Sequence, residues 1–488
     1  MGDGLTSLEP GSLWDHFASI AAIPRPSRHE QKIAAWVESV ATEHRFRVRS
    51  DGIGNLVIDV PASAGHTAAP TVILQAHLDM VCEKNETSDH DFLVDAIRTH
   101  VDGDWVMARG TTLGADNGLG VAAALAVATD PSVTHGPLQL LFTLDEETGM
   151  TGAAGLDGSL LAGKLLINLD SEEDGVLFVG CAGGADAHLR LDPRRRPPTV
   201  GRTPRRLRVC GLRGGHSGLD IHENRGNALK LLARILTAAI DEGFDFDLVS
   251  LAGGSMHNAI PREASATLRL DPDDDDRFRT LLSSRVEEAK LELAGIDDGL
   301  EIGWAETPHE DEILVPDDRD RLLGLLMALP HGPLGMSREF PGLVETSSCL
   351  AVVKQHQDEF RIVVSGRSSV GPTLRAVVSS IRSIAKLAGV TVEIHDGYPG
   401  WRPDMSSNLL AVARRVYARV WGGEPEVTAV HAGLECGLLA ERAPGLEMIS
   451  VGPEIRGAHS PDERVSIPSV GRFWTALKFI LADLAAER

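Results

Sequence analysis

Short apolar runs punctuate the first third of the chain: TVILQA (71–76), LQLLFTL (138–144) and KLLINL (164–169). Each is six or seven residues long and rich in aliphatic side chains, which predicts buried strands. Between them lie stretches with helical spacing, such as GLGVAAALAVATD (118–130). Ahead of them, Pro10 introduces GSLWDHFASIAAI as a first helix. Ser27 and Glu30 form a capping-box pattern before QKIAAWVESVATEH. FRVRSDGIGNLVIDV (46–60) predicts a hairpin turned at or just after Asp51-Gly52. Strands alternating with helices predict an α/β layer built on a mostly parallel sheet.

The pattern changes after Gly180. LRLDPRRRPPTVGRTPRR (189–206) is rich in Pro and Arg and reads as a connection or an exposed hairpin. Beyond it, helical patterns at 227–240, 277–294, 319–328 and 373–388 alternate with SATLRLD, CLAVVKQ, RIVVSG and VTVEIH. This predicts an α+β insert, with room for two related halves. LEMISVGP (446–453) then supplies one more buried strand. The expected plan is a discontinuous catalytic domain over 1–187 and 395–488, with an inserted α+β domain over 188–394.

Composition narrows the function. A formal net charge of −23 opposes nucleic acid as a partner and an anionic membrane surface as a location. No apolar stretch reaches the roughly 18 residues that span a bilayer, and no secretory signal pattern opens the chain. The five cysteines, Cys82, Cys181, Cys210, Cys349 and Cys436, are scattered and form no C-x-x-C pair. A reducing, cytoplasmic setting is expected. Any metal would be held by imidazoles and carboxylates.

The polar residues that end the apolar runs carry the chemistry. His77 and Asp79 close the first run, two apart and therefore on one side of an extended chain. Asp116 sits in the Gly-rich TTLGADNGLG; Asp145, Glu146 and Glu147 follow the second run; Asp170 follows the third; and His459 follows the last. Taken singly, each has an ordinary explanation, such as helix capping for Asp116. Capping does not account for acids after three successive buried strands. In open α/β sheets ligands bind at the carboxyl ends of the strands. Asp79, Asp116, Glu146, Glu147 and Asp170, gathered there, cannot all stay ionised without cations. Mixed imidazole and carboxylate donors suit zinc, with manganese or cobalt as substitutes, better than magnesium. Neither G-x-G-x-x-G after the first strand nor G-x-x-x-x-G-K-[ST] occurs, which argues against nucleotide binding.

LQAHLDMV, ARGTTLGADNG, DEETGMTGAAGL, NLDSEE, GCAGG, GLRGGHSG, NAIPRE, HAGLECG and GPEIRGAHSPDE together resemble the aminoacyl-histidine dipeptidase family. This is the Xaa-His dipeptidase or peptidase D family. It lies within a group of di-zinc peptidases and deacylases that includes the carnosinases. The resemblance runs from about Trp14 to Trp474 and is weakest over about 294–341. It implies two Zn2+ per chain: His77 and Asp170 on one, Glu147 and His459 on the other, Asp116 bridging. It implies that Asp79 orients His77, and that Glu146 is the general base for a metal-bound hydroxide attacking the scissile carbonyl. In the insert it implies His216 of GGHSG as oxyanion donor, with Asn258 supporting substrate and Arg367 of VVSGRSS anchoring its carboxylate. The implied substrate is a short peptide, such as the Xaa-His dipeptide β-alanyl-histidine. A deacylase of N-acyl amino acids would share the metal site, and a silent binding protein would have lost a ligand or the base. Short-lid relatives borrow the oxyanion histidine from a partner subunit; here both a monomer and a homodimer stay open.

Overall fold

The computed structural model describes residues 4–308, 312–356 and 359–486. The chain forms two compact units: Met1–Cys181 with Trp401–Ala429 and Leu434–Arg488, and Ala182–Gly400 with Val430–Gly433.

The first unit is built on an eight-stranded sheet. Its four central strands, Leu138–Thr143, Val72–His77, Leu165–Asn168 and Glu447–Ser450, lie side by side and run parallel. The apolar runs form these strands because they are buried on both faces. Every residue of the first three is buried. The flanking strands Leu56–Val60 and Val176–Cys181 pair antiparallel with the central four, so the sheet is mixed. Helix Ala115–Thr129 packs on the Val72–His77 strand and against helix Gly11–Ala21, whose Trp14 and Phe17 are fully buried. Side chains of this size contribute about 1.5–3 kcal/mol each on burial. Helices Asn408–Trp421 and Ile467–Ala486 pack together in the same unit.

Two local expectations change. Pro10 is the residue before helix Gly11–Ala21 rather than its first turn. Helix Gln31–Glu43 starts without a side-chain cap. Ser27 Oγ donates instead to Asp79 Oδ2 (2.7 Å), and Glu30 Oε1 accepts from Asp145 N (3.0 Å). The capping-box residues are drawn away to the loops that follow the central strands.

The second unit holds a nine-stranded sheet whose topology repeats. Strands Thr203–Cys210, Asp247–Gly253, Ala264–Leu270 and Glu301–Glu306 lie in the order fourth, first, third, second. Helices Ala228–Asp241 and Asp275–Glu292 make the crossovers. Strands Gly183–Leu191, Val344–His356, Glu359–Ser368 and Thr391–Tyr398 lie in the same order, with helices Pro316–Ala328 and Gly371–Leu387. Each half is a strand–helix–strand–strand–helix–strand module. The two meet through their second strands, where Gly253 pairs with Val353.

This arrangement moves the expected domain boundaries. Positions 187 and 394 fall inside strands Gly183–Leu191 and Thr391–Tyr398, which pair with each other. A cut there would split a hydrogen-bonded ladder, so the change of unit falls at Cys181/Ala182 and Gly400/Trp401. The Arg/Pro-rich connection is also tethered rather than loose. Arg202 Nη1 donates to the buried Asp247 (2.7 Å), and Arg194 Nε to the buried Asp318 (3.0 Å).

Candidate active site

The carboxyl ends of the central parallel strands converge on one set of side chains. His77 ends its strand. Asp145 follows the next strand with a left-handed backbone (φ 55°), a conformation that costs about 1–3 kcal/mol and is kept only where surroundings enforce it. Here they do: Thr148 Oγ1 donates to Asp145 Oδ1 and Thr151 Oγ1 to Oδ2 (2.7 Å). The bend starts the short helix Glu146–Gly149. Asp79 lies across its beginning, accepting from Glu146 N (3.0 Å) and Glu147 N (3.2 Å). Asp116 does not cap helix Ala115–Thr129. Its own dihedrals are non-helical, and its carboxylate turns toward two imidazoles.

Those two contacts define the geometry. His77 Nε2 lies 3.1 Å from Asp116 Oδ1 and 3.2 Å from Asp170 Oδ1. His459 Nε2 lies 3.2 Å from Asp116 Oδ2 and 3.0 Å from Glu147 Oε2. The two oxygens of Asp116 thus face two separate triads, His77/Asp116/Asp170 and Asp116/Glu147/His459. Glu146 shares a third grouping with His77 and Glu147. Spacings of 3.0–3.2 Å between donors approach the edge of a tetrahedron around an ion with bonds of about 2.0–2.2 Å. Glu147 Oε1 and Asp170 Oδ1 are buried without a hydrogen-bond partner. One imidazole N–H cannot satisfy two carboxylates at once, so the donor set fits cations better than protons.

Burial opposes ionisation of Asp79, yet His77, Ser27 Oγ and the Glu146 amide hold its carboxyl down to about 2. His77 Nδ1 sits 3.3 Å from Asp79 Oδ1. Glu146 is pushed well above the usual carboxylate range. Burial is the main cause; Asp170, Glu435 and Glu147 add to it, and His77 opposes it.

Two residues that the sequence reading passed over hold the ligand loops together. Glu463, 2% exposed, accepts from four consecutive backbone amides: Leu113 (2.7 Å), Gly114 (2.9 Å), Ala115 (2.7 Å) and Asp116 (3.3 Å). It stands four residues after His459 and so joins that loop to the one carrying Asp116. The buried guanidinium of Arg25 donates to the carbonyls of Leu78 (3.0 Å), Asp79 (2.6 Å) and Gly114. Glu463 lies inside the quoted AHSPDE block, but its partners are 347 to 350 residues away.

The remaining predicted residues belong to the second unit. A two-residue ladder pairs Gly215 with Ile260 and His216 with Ala259. His216 Nδ1 accepts from Gly218 N (3.2 Å) and Leu219 N (3.0 Å), which fixes the tautomer with the proton on Nε2. Burial and the nearby Arg367 lower its pKa to about 4, so it is a neutral donor at pH 7. Asn258 adjoins this ladder, its carbonyl accepting from Ser217 N (2.8 Å). Arg367 is 6% exposed. Nη1 donates to Tyr398 OH (2.7 Å), Nε has no partner, and no carboxylate pairs with it among the described residues. Gly218 permits the approach: a Cβ there would lie 2.2 Å from His431 O and 3.2 Å from Arg367 Nε. His431, also unforeseen, is buried, bonds Ser347 Oγ through Nε2 (2.8 Å), and is held neutral by burial and by Arg367.

A parallel-centred sheet with two histidine–carboxylate triads at its strand ends defines the class, and residues 73–482 match the model of Peptidase family M20/M25/M40. The chain belongs to that family and is an enzyme of it, a metal-dependent peptide hydrolase. It is 44% identical over 483 residues to a cytosol non-specific dipeptidase of Escherichia coli (strain K12), covering 99% of each chain. Among solved structures, the aminoacylhistidine dipeptidase from Vibrio alginolyticus superposes with a TM-score of 0.92 at 42% identity, over 99% of this chain and 98% of that one. Aminopeptidase PepT from Bacillus cereus shares the fold (TM-score 0.57, 16% identity, 98% and 99% covered). Among the described residues no helix is long and apolar enough to cross a membrane.

Proposed function

We propose that the protein is a cytosolic dipeptidase that holds two divalent cations and cleaves Xaa-His dipeptides such as β-alanyl-histidine. The observation that carries the two-cation reading is the carboxylate of Asp116, with one oxygen 3.1 Å from His77 Nε2 and the other 3.2 Å from His459 Nε2. His77 and Asp170 would hold one ion, Glu147 and His459 the other, with Asp116 between them. Nitrogen and oxygen donors in sets of three favour zinc, with manganese or cobalt able to substitute. When bound, such a pair lowers the pKa of a water and polarises a carbonyl.

The chain's own residues do the rest. Glu146, its proton affinity raised by burial, takes the proton of the attacking water at its carboxylate and returns it to the leaving amine. Asp79 keeps His77 in one orientation and fixes the turn that presents Glu146. His216 Nε2–H donates to the developing oxyanion, and its neutrality at pH 7 suits a donor that need not lose charge. Asn258 lies beside it on the same ladder. Arg367 binds the substrate's free carboxylate, which supplies the counter-charge its buried guanidinium otherwise lacks. The names of the Escherichia coli and Vibrio alginolyticus relatives support dipeptides as substrates, the cytosol as location and histidine at the second position.

Hydrolysis of β-alanyl-histidine, Gly-His, Leu-Gly and N-acetyl amino acids, with and without chelator and with zinc restored, tests this reading. Chelator-sensitive cleavage of Xaa-His dipeptides is expected. Cleavage of acylated amino acids alone would move the protein to the deacylases.

A further inference from the structure

Beneath the candidate active site the central sheet carries an unbroken row of polar side chains. Thr143, Gln75, Asn168 and Ser450 stand on four adjacent parallel strands, each 0% exposed. Gln75 precedes His77 by two residues, Asn168 precedes Asp170 by two, and Thr143 precedes Asp145 by two. Gln75 and His77 lie on one strand and share a face, while Thr143 and Asn168 end the strands that lead into the loops of Asp145 and Asp170. In the backbone register Gln75 stands opposite Asn168 and Asn168 opposite Ser450, while Thr143 stands opposite His77, on the same face two residues on.

The row is hydrogen-bonded end to end. Ser450 Oγ donates to Asn168 Oδ1 (2.5 Å), Asn168 Nδ2 to Gln75 Oε1 (2.5 Å), and Gln75 Nε2 to Thr143 Oγ1 (3.2 Å). It terminates on one carboxyl group. Glu435 Oε2 accepts from both Gln75 Nε2 (2.6 Å) and Thr143 Oγ1 (2.7 Å), while Oε1 has no partner. Glu435 is 0% exposed and has no ion-pair partner among the described residues. A solitary buried carboxylate is costly to fold around. Burial pushes it up to about 7, with Asp170 and Asp79 adding and His77 and Thr143 opposing. Packing alone would be served as well by an apolar side chain.

We propose that Glu435 is a positioning residue for the cation pair: by accepting from Gln75 and Thr143 together it holds the ends of their two strands, and through Asn168 that of a third, at the separation where His77, Glu147 and Asp170 meet their ions. The proposal rests on the two-cation reading above.

The test uses metal-free full-length protein, titrated with Co2+ and with Zn2+ against a competing chelator, alongside kcat and KM on a dipeptide. Glu435→Gln keeps the acceptor oxygen facing Gln75 and Thr143; Glu435→Ala removes it. Expected for Glu435→Ala are a 10–100-fold loss of metal affinity, the range seen when groups behind ligands are removed, an altered cobalt spectrum, and a fall in kcat at saturating metal with KM within about 2-fold. Glu435→Gln should stay within about 3-fold of wild type on all of these. Thr143→Val, a smaller perturbation, should lose metal affinity by about 3–10-fold and decides the matter if Glu435→Ala does not fold. Wild-type affinity and spectrum in folded Glu435→Ala, or in Thr143→Val, would overturn the proposal, as would a Glu435→Gln as damaged as Glu435→Ala. A wild-type chain that binds no pair of cations would instead refute the two-cation reading, and the proposal with it.

Discussion

Removing the side chain of Glu463 perturbs the candidate metal centre from outside it. Glu463 touches no reacting atom, yet its carboxylate takes four backbone amides of the loop that presents Asp116, three of them at 2.7–2.9 Å. Hydrogen bonds to a charged group contribute about 1.5–3 kcal/mol each, and a buried amide left without a partner costs about 1–3 kcal/mol. The sum is not additive, because the freed loop relaxes and the fourth amide at 3.3 Å was weakly held. Glu463→Ala should therefore destabilise the folded protein by about 3–5 kcal/mol, the cost of leaving buried partners uncompensated. Domains are stable by only about 5–15 kcal/mol. The second consequence is specific to function. Asp116 faces both triads, so loosening its loop should weaken both cation sites together, by about 10–100-fold. Urea denaturation of the metal-free protein measures the first effect, and chelator competition for Zn2+ measures the second. Glu463→Gln retains one acceptor but turns an NH2 group toward two amide donors, and should lie near the alanine variant. A folded Glu463→Ala protein whose zinc affinity stays within 2-fold of wild type would refute the reasoning, since the loop would then hold its shape without the clamp.

Other outcomes follow from the same geometry. Glu146→Ala should retain both metal ions by elemental analysis and lose about 10²–10⁴-fold in kcat; normal turnover would remove it as the base. His216→Ala should lower kcat by about 10²–10³-fold with metal content unchanged, and zinc loss would place it elsewhere in the mechanism. His331 is half-buried; desolvation and the nearby Lys230 lower its pKa to about 4, and its Nδ1 accepts from Asn227 Nδ2 (3.3 Å). The unfolded chain binds this proton near pH 6.5 while the folded protein resists it. Stability should therefore fall as pH drops from 6.5 toward 4, by up to about 1.4 kcal/mol per pH unit from this group. His331→Gln should flatten that slope in denaturation curves taken across the range, and an unchanged slope would remove His331 as a source.

Most candidate metal-site residues were legible because they follow a buried strand or begin a helix, so local pattern and chemistry coincide. His77, Glu147 and Asp170 needed only the rule that parallel strands end at one edge. The residues that hold those ligands were not legible, because nothing local marks them. Ser27 and Glu30 matched a helix cap three residues apart, yet their stronger partners, Asp79 and the Asp145 amide, come from loops 52 and 115 residues away. Arg25, Glu435 and Glu463 were ordinary polar residues until the fold put strand ends and loop amides within reach of them.

By itself the sequence determined the strands and helices, the order in which they occur, and the identity of the groups at the strand ends, since these depend on short-range periodicity and side-chain chemistry. The tertiary structure alone decided that the four central strands run parallel and that their immediate flanks run antiparallel to them. It also turned the two oxygens of Asp116 toward different histidines, and joined the halves of the insert through their second strands. Those outcomes are set by which distant segments exclude water together and which buried polar atoms must find partners there. Spacing along the chain carries no information about either.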